Sequence, residues 1–294
     1  MSEVAAVLDD LVPGGVREHF YDRGGRRLHA YVAGTGEASV LFEAGRNDVA
    51  LTWTPLLIRL APFARLVAYD RAGLGESDPA EGPASFARLL GDLAAVLEGA
   101  GTTRPVLVGH SFGGRLAHLF AARHPDQVAG AVLVDPGCAS LSALQREAQA
   151  TPMRRAMHLG AGALALSPLG TALAARRAVA TFTSNPAHRR ALAAASRRRS
   201  RRGDELAGCD LEADDGDPPP FGPAPLVVLS ATRQRDATVR ERLTALQAGL
   251  AAAAPAGRHA VVPDCGHAIH HERPDRVAEA VVEVLGRVYG NHSR

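Results

Sequence analysis

Residues 106–114 read Val-Leu-Val-Gly-His-Ser-Phe-Gly-Gly, an apolar run that breaks at Gly-x-Ser-x-Gly and continues in helical spacing. A strand that turns this sharply into a helix constrains the chain more than any other stretch. Gly109 and Gly113 carry no Cβ, so strand and helix can approach closely on either side of Ser111. The residue at the bend is strained, and its side chain is fully presented. The backbone N–H of Phe112 then opens the new helix, where partial positive charge favours an oxyanion. A serine so placed is a nucleophile in need of a base; the competing reading is an ordinary helix N-cap.

Two further segments bear on that choice. Residues 261–274 read Val-Val-Pro-Asp-Cys-Gly-His-Ala-Ile-His-His-Glu-Arg-Pro, a strand ending in Gly-His ahead of a helix. Residues 65–78 read Arg-Leu-Val-Ala-Tyr-Asp-Arg-Ala-Gly-Leu-Gly-Glu-Ser-Asp. With the serine turn, these segments resemble the α/β-hydrolase superfamily in three motifs and in their chain order. The resemblance covers most of the sequence. It implies that the late Gly-His supplies the base and that the Asp-Arg-x-Gly-x-Gly-x-Ser loop braces its neighbours.

The rest of the chain fits an α/β architecture. Val16–Asp22 and Arg27–Ala33 flank Arg23-Gly24-Gly25 as an opening hairpin. Strands are expected at Ser39–Phe42, Leu66–Tyr69, Val106–Val108, Val128–Val134, Pro225–Leu229 and His259–Val262. Helices are expected around Leu51–Leu60, Ala84–Glu98, from the serine turn to Arg123, Thr238–Ala253 and Asp275–Val288. Near-continuous apolar strands alternating with helices predict a mostly parallel, doubly wound sheet covered on both faces.

Residues 137–220 break the rhythm with Ala-, Leu- and Arg-rich helical spacing and no strand. In the superfamily an insertion at this point forms a helical cap. The division is therefore a core of 1–136 and 221–294 with a cap and acidic Pro-rich connector at 137–220. Residues 188–202 hold seven arginines and 204–217 seven acids, which reads as a solvated, charge-compensated face rather than a nucleic-acid patch. The formal net charge of +2 gives no global pull toward nucleic acid or anionic membranes. Cys138, Cys209 and Cys265 form neither a metal-ligand spacing nor an even disulfide framework. Without a basic, apolar leader or a run of ~18 apolar residues, a soluble cytoplasmic protein is expected.

The candidate catalytic residues follow. Ser111 needs a base, and His267 sits just past a strand, at the carboxyl edge where parallel sheets bind ligands. His110 adjoins the serine but points elsewhere and reads as a packing or hydrogen-bonding histidine. Cys265 reads as a packing residue. The acid that would orient His267 has two candidates. Asp236 follows the strand Pro225–Leu229, where the superfamily places its acid, and a capping box at residues 238–241 leaves it free of helix duty. Asp135 ends the strand before Pro136-Gly137, a position some members use. Asp236 is preferred. For the oxyanion hole the resemblance adds a donor from the loop after the third strand; here Glu43-Ala44-Gly45-Arg46-Asn47 makes the Arg46 N–H the partner of the Phe112 N–H, with alanine in place of the usual histidine.

These residues describe a serine hydrolase acting on a carboxylic ester, lactone or thioester through an acyl-enzyme, with no cofactor or metal implied. Apolar residues of the insertion, among them Met153, Met157 and Leu164, point to a small-molecule substrate with an apolar acyl part. The same triad also supports C–C bond hydrolysis, aminopeptidase or perhydrolase chemistry, and the scaffold serves as a ligand receptor.

Overall fold

The computed structural model describes residues 1–137, 179–180, 183–196, 219–233 and 237–290. Eight strands form one sheet: β1 (Val16–Asp22), β2 (Arg27–Ala33), β3 (Ser39–Glu43), β4 (Arg65–Tyr69), β5 (Val106–His110), β6 (Gly130–Val134), β7 (Leu226–Ala231) and β8 (Gly257–Val262). Their spatial order is β1-β2-β4-β3-β5-β6-β7-β8. The β1–β2 and β2–β4 pairs are antiparallel, and every other pair is parallel. The crossover places β5 at the centre of the sheet, so the serine turn emerges mid-edge.

Strand periodicity of two divides the buried residues into two cores. Val40, Phe42, Val106, Val108, Val132 and Val134 point to one face, where α1 (Glu3–Leu11), α2 (Thr54–Leu60) and a late amphipathic helix, Pro274–Tyr289, pack. Leu41, Val67, Leu107, Ala131 and Leu133 point to the other, beneath α3 (Phe86–Gly99) and α4 (Phe112–Arg123). All five residues of β3, β5 and β6 are buried, which is why these strands read as unbroken apolar runs rather than alternating ones.

Of the insertion, the described part contains α5 (Pro186–Ser196), helical as its spacing predicts. Leu192 and Ala193 join the core shared with α1, and His188 Nε2 lies 3.5 Å from Asp10 Oδ2. Most of the remaining expected cap lies outside the described residues, including Met153, Met157, Leu164, most of the arginine-rich run and the acidic residues 204–217. Helix α1 was not expected from the sequence. Ser2 caps it by accepting from the Ala5 N–H at 3.2 Å and ties it to β1 through Glu18. The chain continues with α6 (Ala237–Ala252), α7 (Ile269–Glu272) and α8 (Pro274–Tyr289). Among the described residues no helix is long and apolar enough to cross a membrane.

Candidate active site

The serine turn has the strain its glycines foretell. Ser111 sits at φ 52°, ψ −117°, and its side chain makes no cap to α4, so it is not an N-cap serine. A Cβ on Gly113 would strike the carbonyl oxygens of Glu43 and Ala44, and one on Gly109 would strike the carbonyl of Gly113. The turn exists only because both positions lack one. The Ser111 N–H bonds Val134 O at 3.0 Å, and the Gly137 N–H bonds Ser111 O at 3.0 Å. The end of β6 is thereby stitched to the serine.

That stitched segment carries Asp135, at φ 43° and almost fully buried. Its Oδ2 accepts from His267 Nδ1 at 2.6 Å. Its Oδ1 accepts from the Ala231 N–H at 3.2 Å and from Gln247 Nε2 at 3.1 Å. Half of the His267 side chain is exposed (51%), whereas that of Asp135 is at 0%, so the ring faces solvent on one side and a dry carboxylate on the other. Among the described residues no hydrogen bond joins Ser111 Oγ to His267. Asp236, the preferred candidate for the acid, lies outside the described residues, as do Cys138 and Cys209.

His110 has the hydrogen-bonding part expected of it. Its Nε2 donates to His267 O at 2.9 Å, and its ring lies 4.6 Å from that of His267 and 4.3 Å from that of His270. Burial, with the charge of His267 second, lowers its pKa to about 3. His270, buried in the same cluster, is held well below the ordinary histidine range by burial first and by His110 next. Both are therefore neutral at pH 7. Thr52 Oγ1 lies 2.9 Å from Nε2 of both His270 and His271. Asp48, His110 and His270 bring one donor atom each within 4.8 Å of one another.

The loop after β3 is braced from below. The buried Arg71 guanidinium donates to Glu43 Oε1, Ala44 O and Gly45 O, each at 2.6 Å, and lies 5.7 Å from the Phe112 ring centre. Tyr69 donates to the other Glu43 oxygen at 2.5 Å. One side chain thus holds the two carbonyls before Arg46 and abuts the residue that begins α4. The bracing expected of the loop at 65–78 takes this concrete form, which the sequence did not reveal, and the alanine at position 44 leaves the loop anchored. Asp70 acts similarly on the next turn, accepting from the Ala50 N–H at 2.7 Å and from His29 Nδ1 at 2.8 Å. Cys265 is fully buried, and burial, with Glu272 second, raises its thiol to about 11; it is inert as a nucleophile at neutral pH.

A strained serine at the sheet's central edge, its turn stitched to the segment whose buried carboxylate binds a histidine, defines the candidate site on an α/β sheet. The model of the alpha/beta hydrolase family matches residues 28–280, and the chain belongs to that family. It is 40% identical to the lipase LipV of Mycobacterium tuberculosis over 105 residues, 36% of this chain and 40% of that protein. The chain spans about half or less of the length of the curated relatives it matches first. Among solved structures, the naproxen esterase of Bacillus subtilis superposes with a TM-score of 0.67 at 16% identity, covering 96% of this chain and 98% of that one. The epoxide hydrolase of Bacillus megaterium gives 0.70 at 17%, covering 91% and 100%. Likeness at this level speaks to the fold.

Proposed function

We propose that the protein is a serine hydrolase that cleaves a carboxylic ester, lactone or thioester through an acyl-enzyme. Ser111 is the nucleophile, His267 the base and Asp135 the acid, with the N–H groups of Arg46 and Phe112 as the oxyanion hole. The 2.6 Å contact between His267 Nδ1 and Asp135 Oδ2, made by the residue after the Val134 carbonyl that binds the Ser111 N–H, carries this reading. On its strength Asp135, at the end of β6, is taken as the acid in place of Asp236.

In this reading Nε2 of His267 takes the Ser111 proton as Oγ attacks the acyl carbon, and the carbonyl electrons move onto the oxygen held by the two N–H donors. Collapse expels the alcohol or thiol, which receives the proton from Nε2. Water, deprotonated by the same nitrogen, then releases the acid and restores Ser111. Asp135 holds the Nδ1–H tautomer and stabilises the transient imidazolium. The apolar residues of the insertion at 137–220, Met153, Met157 and Leu164 among them, are in keeping with an apolar acyl group. A lipase and an esterase among the similar proteins agree with ester chemistry, and a serine at the bend disfavours the aspartate-nucleophile route of epoxide hydrolases. A fluorophosphonate probe is the direct test: it should label the wild type and fail on Ser111→Ala, with p-nitrophenyl ester turnover falling by at least ~10³. A folded wild type that takes no label would end the reading.

A further inference from the structure

Behind Asp135 lies a second set of polar groups, buried at Gln247 and Ser230 and half-buried at His259, that the proposed mechanism does not use. Gln247 of α6 is 2% exposed and Ser230 of β7 is 0%. Gln247 Nε2 is 3.1 Å from Asp135 Oδ1 and 3.0 Å from Pro136 O. Its Oε1 accepts from the Ser230 hydroxyl, whose oxygen is 2.7 Å from His259 Nε2 on β8.

Every proton direction in this chain is fixed by inventory. A carboxylate and a proline carbonyl only accept, so the amide atom facing both must be the NH₂. Oε1 therefore faces Ser230 and takes its single hydroxyl proton. The serine oxygen can then only accept, which makes His259 Nε2 a donor. The amide thus cannot flip without leaving two buried acceptors facing an oxygen, each such loss being costly.

We infer that Gln247, its amide locked by Ser230 and His259, is a positioning residue that holds the Asp135 carboxylate and the strained Asp135–Pro136 turn in place for His267. The inference rests on Asp135 being the acid. With Ala231 N–H it gives Oδ1 two donors, leaving Oδ2 alone to face the imidazole. It also accounts for how a non-glycine residue persists at φ 43°: backbone strain of this kind needs surroundings that over-determine it, and Gln247 grips both Asp135 and the carbonyl of Pro136.

The test measures the His267 ring directly. In uniformly ¹⁵N-histidine-labelled full-length protein, with the resonance assigned through His267→Gln, the ring is titrated in wild type, Gln247→Leu and Ser230→Ala. A carboxylate deprived of one donor concentrates more charge on the oxygen facing the ring, so the imidazolium persists to higher pH. The titration midpoint should rise by about half a pH unit or more in Gln247→Leu and by less in Ser230→Ala. Ester kcat should fall about tenfold in Gln247→Leu with KM within about twofold, the worth of one hydrogen bond to a charged group. Unshifted midpoints in the folded variants would overturn the assignment, and Ser230→Ala decides alone if Gln247→Leu does not fold. A wild type that neither labels nor hydrolyses would instead sink the hydrolase reading, while the ring titration still judges the positioning role.

Discussion

Two neighbouring turns at the sheet's edge hold non-glycine residues at positive φ, Ser111 at 52° and Asp135 at 43°, yet they are enforced by opposite means. The serine turn is set by what is missing. Side chains at positions 109 and 113 would collide with backbone, and α4 can follow β5 only because none is there. The acid turn is set by what is present. Gln247, the Ala231 N–H and His267 converge on one carboxylate from three separate elements. Steric enforcement is local and rigid, whereas hydrogen-bond enforcement is assembled from afar and can be dismantled one partner at a time.

The largest effect expected from disturbing this contrast is chemical. Asp135→Asn should keep the turn, since the amide still accepts and donates, but should lower kcat by ~10³ to 10⁴ by favouring the wrong tautomer of His267. Asp236→Asn should stay near wild type under the same p-nitrophenyl ester assay. If Asp236→Asn cripples turnover and Asp135→Asn does not, the acid has been placed on the wrong turn.

Next comes a pair of matched glycine changes. Gly113→Ala should cost about 3 kcal/mol or more in urea unfolding, because backbone rather than a movable side chain opposes the new methyl. Gly137→Ala, on the acid side, should change stability by less than ~0.5 kcal/mol, since the nearest atom to its Cβ would be Ser111 C at 3.7 Å. Equal costs at the two positions would erase the distinction between the turns.

A smaller effect separates the two by pH. The serine side rests on buried neutral imidazoles: His110 is lowered to about 3, and His118 of α4 to about 4 by burial. Because their folded values lie below the unfolded ~6.5, their contribution is whole above pH 6.5. It is lost as pH falls, at up to ~1.4 kcal/mol per unit for each ring. His29, near the β1 edge, acts the other way. Although burial opposes it, bonds and charges from Asp70 and Glu18 raise its value, so its contribution is whole below 6.5 and fades as pH rises through the folded value. The thermal midpoint should therefore drop between pH 6.5 and 4.5, and His118→Phe should flatten that drop. A slope unaffected by His118→Phe would show that this ring titrates freely in the fold.

The strands and helices, the two-faced packing and the serine turn were legible because each has a short-range cause. Continuous apolar strands, helical spacing and glycines four residues apart all act within one or two turns of chain. His267 was legible for the same reason, as a Gly-His closing a strand end. Helix α1 escaped notice because its cap and its tether to Glu18 bring together residues that no periodicity links.

What the linear order left open was the partner of His267. Asp236 and Asp135 each follow a parallel strand, and local cues favoured Asp236. The fold alone brings Gln247, Ser230 and the Ala231 N–H behind Asp135. Likewise Arg71 reads as a loop residue until β3 and β4 lie side by side and its guanidinium reaches the carbonyls of residues 44 and 45. The physical reason is common to both: excluded volume is written in each residue's own atoms, whereas a hydrogen-bond partner is a property of position, fixed only when distant segments meet.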